Sequence, residues 1–169
     1  GLLRRQRQMC IRDSVTGEAA AGKSLVEHKD THMVAFTGSV PVGISIASKC
    51  GELMKRSLIE NSGNDPFIVM PSAPMDITAR AAAFSAYMNC GQICVSAERF
   101  FVHEKIHDEF VEKLIEETKK IRVGNGLDKV DMGPIVSSKE RDRYENVLHK
   151  ALDEGAKAVE GGGRLSQFN

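Results

Sequence analysis

The sequence predicts an α/β fold with a largely parallel sheet flanked by helices. Two observations carry the prediction. Short apolar runs of strand length recur at residues 33–36, 56–60, 67–70 and 99–103. Between and after them stand segments with helical period. The clearest, residues 106–121, turns Phe110, Leu114 and Ile121 to one side and Glu112, Lys113, Glu116, Glu117, Lys119 and Lys120 to the other. No internal repeat or low-complexity tract interrupts the alternation.

Each element has its own local reason. Residues 1–14 carry Arg4, Arg5, Arg7 and Arg12 without periodicity. They read as a leader or a non-native junction, apart from the fold expected from Val15 onward. Ala19, Ala20 and Ala21 favour a helix that continues through Leu25 and Val26. The strand at 33–36 ends in the turn Thr37-Gly38-Ser39, and a helix over 40–49 follows with Val42, Ile46 and Cys50 on one face. Residues 56–60 form a second strand, and 67–70 a third that Pro71 stops. Residues 75–88 are Ala-rich and helical, with Asp76 near the start. Residues 99–103 are a fourth strand. Ser137 caps a helix over 137–154, with Glu140 three residues on as the other half of a capping box. Gly155 ends that helix. A last strand begins at 157–160, before Gly161-Gly162-Gly163.

Composition removes several function classes. The chain has 169 residues, 41% hydrophobic and 27% charged, a globular profile. Lysine plus arginine and aspartate plus glutamate number 23 each, so no bulk positive field draws nucleic acid. Aromatic residues make up 5%, with no Trp, which speaks against a platform for stacking bases. No apolar run approaches the ~18 residues that a membrane span requires. Cys10, Cys50, Cys90 and Cys94 lack paired CxxC spacing, so neither a zinc cluster nor a disulfide framework is expected. A reducing compartment, the cytoplasm, fits best.

Gly17-Glu-Ala-Ala-Ala-Gly22-Lys23-Ser24 spells a P-loop. A working phosphate cradle follows a buried strand and opens a helix. Here only Val15-Thr16 precedes Gly17, the intervening Glu-Ala-Ala-Ala has no glycine, and no apolar strand ending in Asp offers a magnesium partner. The motif reads better as a helix start. A nucleotide-binding phosphotransferase using Lys23 and Ser24 remains the competing reading.

Two other stretches suggest chemistry. Glu60 stands at a strand end running into Asn61-Ser62-Gly63. Cys94 follows a long helix and a glycine turn in Asn89-Cys90-Gly91-Gln92-Ile93-Cys94. Rigid scaffolds present accessible side chains at such loops. A thiolate can act as nucleophile and a carboxylate as general base toward water. By residue type alone, a cysteine is more often a small buried hydrophobe and a glutamate a solvated charge. Both readings stand at this stage.

Phe36-Thr37-Gly38-Ser39 with Gly43, then Glu60, then Asn89-x-Gly91-Gln92-x-Cys94, in this order and at this spacing, resemble the NAD(P)-dependent aldehyde dehydrogenase superfamily. Arg99-Phe100-Phe101-Val102, Asp108-Glu109-Phe110-Val111 and Asp131-Met132-Gly133-Pro134 add to the resemblance, which covers Val15 to about Leu165. It implies a Rossmann-like cofactor domain and a catalytic domain, with NAD or NADP as cofactor and a small aldehyde as substrate. It implies Cys94 as the nucleophile that forms a thiohemiacetal and then a thioester, and Glu60 as the base that activates the hydrolytic water. The backbone N–H of Cys94 would help hold the oxyanion. Gly38 and Ser39 would lie against the cofactor pyrophosphate, and Gly43 would let the following helix sit close to sheet and cofactor. Asn89, Gly91 and Gln92 would shape the turn that presents Cys94.

The sequence departs from the family pattern just after the base. Asn61 and Ser62 stand where an apolar residue and a glycine are usual, which raises the alternative of a catalytically silent member. The family's chains are also much longer. The resemblance therefore implies an internal fragment, inactive alone, with residues 15–62 ending the cofactor domain and 63–169 beginning the catalytic domain. The parent enzyme would be a homo-oligomer.

Overall fold

The computed structural model describes residues 13–165. The chain divides after Ser62 into two units, Gly1–Ser62 and Gly63–Asn169. Each is built on its own two-stranded parallel sheet.

In the first unit the alanine run forms α1 (Ala19–Glu27). Then come β1 (Met33–Gly38), α2 (Val40–Glu52) and β2 (Arg56–Asn61). The strands run parallel, in register from Met33 opposite Arg56 to Gly38 opposite Asn61. A parallel pair needs a crossover of about a dozen residues or more, which the 13-residue α2 supplies. Along β1, Val34, Phe36 and Gly38 are half-buried while Met33, Ala35 and Thr37 are exposed.

The inward stripe of α2 is Gly43, Ile46 and Cys50, of which Gly43 and Cys50 are buried. The sequence had put Val42 on that face, but Val42 is exposed. The helix docks where it has no Cβ. One built on Gly43 would overlap Asn61 Oδ1 and lie 3.0 Å from Ile59 Cγ2 on β2. Lys55 closes the corner between α1 and β2. Its Nζ donates to the carbonyls of Val26 at 2.6 Å and His28 at 2.7 Å, where a cation complements the helix dipole.

The second unit contains β3 (Asp65–Val69), α3 (Met75–Tyr87), β4 (Ala97–Val102), α4 (His107–Lys119) and α5 (Ser138–Asp153). β3 and β4 are parallel, with a register shift between Asp65 and Pro66, where proline lacks a ladder donor. Val69, Ala82 and Phe110 form the core, with Phe67, Phe100, Val102 and Leu114 packed around them. The Phe67 and Phe100 rings sit 5.3 Å apart and those of Phe100 and Phe110 6.2 Å, within the range of favourable tilted aromatic pairs. Burying a side chain such as Phe110 stabilises by about 1.5–3 kcal/mol. Ala79, Ala82 and Ala83 are the buried residues of α3, and their small size lets α3 approach α4.

Two local expectations need correction. Ser137 does cap α5, its Oγ accepting the Glu140 N–H at 3.3 Å. The return half of the capping box is replaced by an ion pair in which Glu140 Oε2 accepts from Arg143 Nε at 2.8 Å. After Gly155, residues 157–160 form no strand. A strand exists through its ladder bonds, and among the described residues no strand pairs with this stretch.

Each sheet keeps one open face. Met33 and Leu58 on β1–β2, and Ile68 and Phe101 on β3–β4, are exposed, although parallel sheets usually bury both faces. Among the described residues no helix is long and apolar enough to cross a membrane.

Candidate active site

The P-loop spelling builds no phosphate cradle. Asp13 to Thr16 form no strand ahead of it, and from Ala19 onward the motif is α1. Ser24 Oγ donates to the Ala20 carbonyl at 2.9 Å. Exposed Lys23 lies 4.0 Å from Glu27 one turn on. Both side chains serve the helix.

The first unit gathers four of the five predicted site residues at the C-terminal end of its sheet. Gly38 is the last residue of β1, and Ser39 is the N-cap of α2. Glu60 is the penultimate residue of β2, exposed and opposite Thr37. Ser62 N–H donates to the Gly38 carbonyl at 3.1 Å, so the two strand ends stay joined past the ladder. Gly38 has its own steric reason: a Cβ there would meet Phe36 Cζ at 2.5 Å. The Ser39 side chain makes no cap bond, Pro41 sits in the first turn, and no acidic residue stands there. The α2 start therefore presents a free hydroxyl and unneutralised amides, which suit an anion.

The fifth predicted residue, Cys94, lies in the second unit. α3 ends at Tyr87, and the chain then takes left-handed backbone at three successive residues: Asn89 at φ 52°, Cys90 at φ 60° and Gly91 at φ 70°. Left-handed backbone costs about 1–2 kcal/mol at each residue other than glycine. Cys94 follows in the turn closed by Ser96 N–H to the Ile93 carbonyl at 3.0 Å, just before β4. Its thiol is free and exposed. Cys90 is also free, half-buried, and its Sγ–H donates to the Gly133 carbonyl at 3.0 Å. Burial pushes the Cys90 thiol pKa up. Cys50 is buried in the first unit, and Cys10 lies outside the described residues.

The left-handed turn is tied locally and at long range. Gln92 Nε2 donates to the Asn89 carbonyl at 2.9 Å and Asn89 Nδ2 to the Gln92 carbonyl at 3.3 Å. Gln92 Oε1 accepts the backbone N–H of Val136 at 2.9 Å. Nothing in the sequence points to a role for residues 133–136 beyond the Asp131-Met132-Gly133-Pro134 match. A contact made over 44 residues by a backbone amide leaves no side-chain signal to read.

These residues lie in a chain whose residues 11–169 match the sequence model of the aldehyde dehydrogenase family. The chain belongs to the aldehyde dehydrogenase family. It is 41% identical over 152 residues to 3,6-anhydro-alpha-L-galactose dehydrogenase of Vibrio sp. (strain EJY3), a match covering 89% of this chain and 32% of that protein. A solved structure of 3,6-anhydro-L-galactose dehydrogenase in complex with NAP superposes with a TM-score of 0.86 at 40% identity, over 90% of this chain and 32% of that one. Betaine aldehyde dehydrogenase from Staphylococcus aureus in complex with NAD+ gives a TM-score of 0.86 at 30% identity, over 90% and 31%. The α/β aldehyde dehydrogenase fold expected from the sequence is thus borne out. The chain spans about a third of the length of these aldehyde dehydrogenases.

Proposed function

We propose that this chain is the part of a longer NAD(P)-dependent aldehyde dehydrogenase that carries both the nucleophile and the base. In this reading residues 15–62 complete the cofactor-binding domain, and 63–169 open the catalytic domain. The observation that carries the reading is Cys94: a free, exposed thiol just after a costly, heavily tied turn, inside a family-wide match.

Gly38 and Ser39, with the first amides of α2, would hold the cofactor pyrophosphate. Their chemistry fits, since the Ser39 hydroxyl is uncommitted and the first turn of α2 carries no acidic residue. The relatives bound to NAP and NAD+ support the same choice. Gly43 acts one step removed, by letting α2 sit against Asn61 and Ile59. When bound, the cofactor would supply the hydride acceptor. Cys94 attacks the aldehyde carbon as thiolate and forms a thiohemiacetal, which becomes a thioester on loss of hydride. The Cys94 N–H helps hold the oxyanion. Glu60 takes a proton from water, the hydroxide adds to the thioester carbonyl, and the carboxylic acid leaves as the thiolate returns.

Asn61 does not favour a silent member, because its side chain packs where α2 has glycine. Ser62 reaches the Gly38 carbonyl through its backbone N–H, a bond that a glycine would make equally. The free thiols of Cys50, Cys90 and Cys94 support a reducing, cytoplasmic compartment. The exposed apolar sheet faces support burial against further chain and against copies of the same subunit.

The deciding experiment is Cys94→Ala in the full-length enzyme. Aldehyde-dependent NAD(P)H formation is expected to vanish while cofactor binding persists. Undiminished turnover would overturn the proposal.

A further inference from the structure

We propose that residues 133–136 are a positioning strap for Cys94, and that Gln92 is the residue through which the strap acts. The inference rests on Cys94 being the nucleophile.

The turn before Cys94 holds Asn89 and Cys90 in left-handed backbone. Conformations of that kind persist where the surroundings over-determine them. The bonds between Asn89 and Gln92 are internal to the turn and fix its shape, but not its place in the unit. Two bonds reach outside it. Cys90 Sγ–H donates to the Gly133 carbonyl, and the Val136 N–H donates to Gln92 Oε1. Both come from one four-residue stretch more than 40 positions along the chain, and they hold the turn two residues apart, on the approach to Cys94.

A strap positions only if it is itself fixed, and this one is fixed at both ends. Upstream, Asp131 is clamped to Arg122: its Oδ2 accepts the Arg122 N–H at 2.9 Å and Nε–H at 2.8 Å, and its Oδ1 accepts from Nη2 at 2.9 Å. Next to the clamp, Val123 and Met132 form a bridge, and Gly124 N–H donates to the Met132 carbonyl at 3.1 Å. Downstream, Val136 adjoins Ser137, the cap of α5. Gln92 joins the two systems with one amide: Nε2 binds the turn and Oε1 the strap. A thiol displaced by about 1 Å from its attack geometry can lose about 10²-fold in rate.

The test uses the full-length enzyme and two variants. Gln92→Met keeps the side-chain length and removes both bonds. It is expected to lower kcat about tenfold, leave the aldehyde KM and cofactor Kd within twofold of wild type, and raise the hydrogen-exchange rate of the Val136 amide at least tenfold. Gln92→Glu keeps the acceptor for Val136 and loses the donor to Asn89. It is expected to retain Val136 protection, so that protection separates strap from turn if the first variant folds poorly. Wild-type kcat in Gln92→Met, or a lost kcat with Val136 exchange unchanged, overturns the strap. If Cys94→Ala is inactive while Gln92→Met is unimpaired, the strap alone fails. If Cys94→Ala is active, the nucleophile assignment fails first.

Discussion

Glu60 stands opposite Thr37 in the parallel ladder, one register step before Gly38 meets Asn61. The carboxylate and the Gly38–Ser39 turn therefore leave the sheet at the same end. That is the carboxyl end of the strands, where open α/β sheets bind their ligands.

Glu60→Gln follows from this placement. In the full-length enzyme, steady-state turnover is expected to fall about 10²-fold or more, in line with loss of a general base. A burst of NAD(P)H close to one equivalent per site should survive, because in the proposed mechanism the base serves the step after hydride loss. Rapid mixing with absorbance at the reduced nicotinamide band measures both. A burst lost together with turnover would move Glu60 to an earlier step.

The three cysteines of the described residues should react in order. Cys94 is exposed, Cys90 is half-buried with its thiol pushed up, and Cys50 is fully buried. Since thiolate is the reactive form, iodoacetamide at neutral pH should modify Cys94 first and Cys90 more slowly, with Cys50 protected until unfolding. Peptide mapping over time checks this. Cys90 labelled ahead of Cys94 would contradict the exposure of the turn.

Gly43→Ala should destabilise without touching a catalytic group. The new methyl would collide with the Asn61 amide and Ile59, and overpacking of this kind costs about 1–3 kcal/mol. A lower denaturant midpoint with an unchanged slope is the expected result. An unchanged midpoint would mean that α2 shifts away from β2 freely.

The Arg122–Asp131 clamp carries a pH signature. Hydrogen bonds from the Arg122 side chain, and then from its backbone amide, hold the Asp131 carboxyl well below the usual carboxylate range. A carboxylate lowered on folding contributes stability that is fully present above its unfolded pKa of about 3.9. That contribution is lost as pH falls through the folded value. The clamp is thus complete at neutral pH and yields only in strong acid. Both groups are largely exposed, so salt should weaken it. A carbon NMR titration of the Asp131 carboxyl checks the direction, and an ordinary aspartate midpoint would remove the clamp.

Much of this was legible in the sequence because local chemistry and tertiary packing agree. The strand at Met33, the alanine helix at Met75 and the Ser137 cap all lie close to where propensity and spacing put them. The failures come where a distant neighbour decides. Val42 looked inward by periodicity until a glycine one position on set the docking point. The stretch at 157–160 has strand composition but no described strand to pair with. At the candidate site, Cys94 and Glu60 were singled out by their loop positions, and the family resemblance supplied the roles proposed for them. The Gln92–Val136 bond was not legible, because one partner is a backbone amide and every non-proline residue has one.

A methyl at position 38 would meet the ring of Phe36, whose Cζ lies 2.5 Å from the place it would take. The two positions share one space and are therefore not independently mutable. Gly38→Ala alone should be damaging, while paired with Phe36→Leu it should recover part of the loss, a non-additive double-mutant cycle between neighbours. Any lineage that enlarges position 38 must first, or simultaneously, shrink its companion two residues upstream, so drift at this turn is constrained to proceed by coupled exchanges.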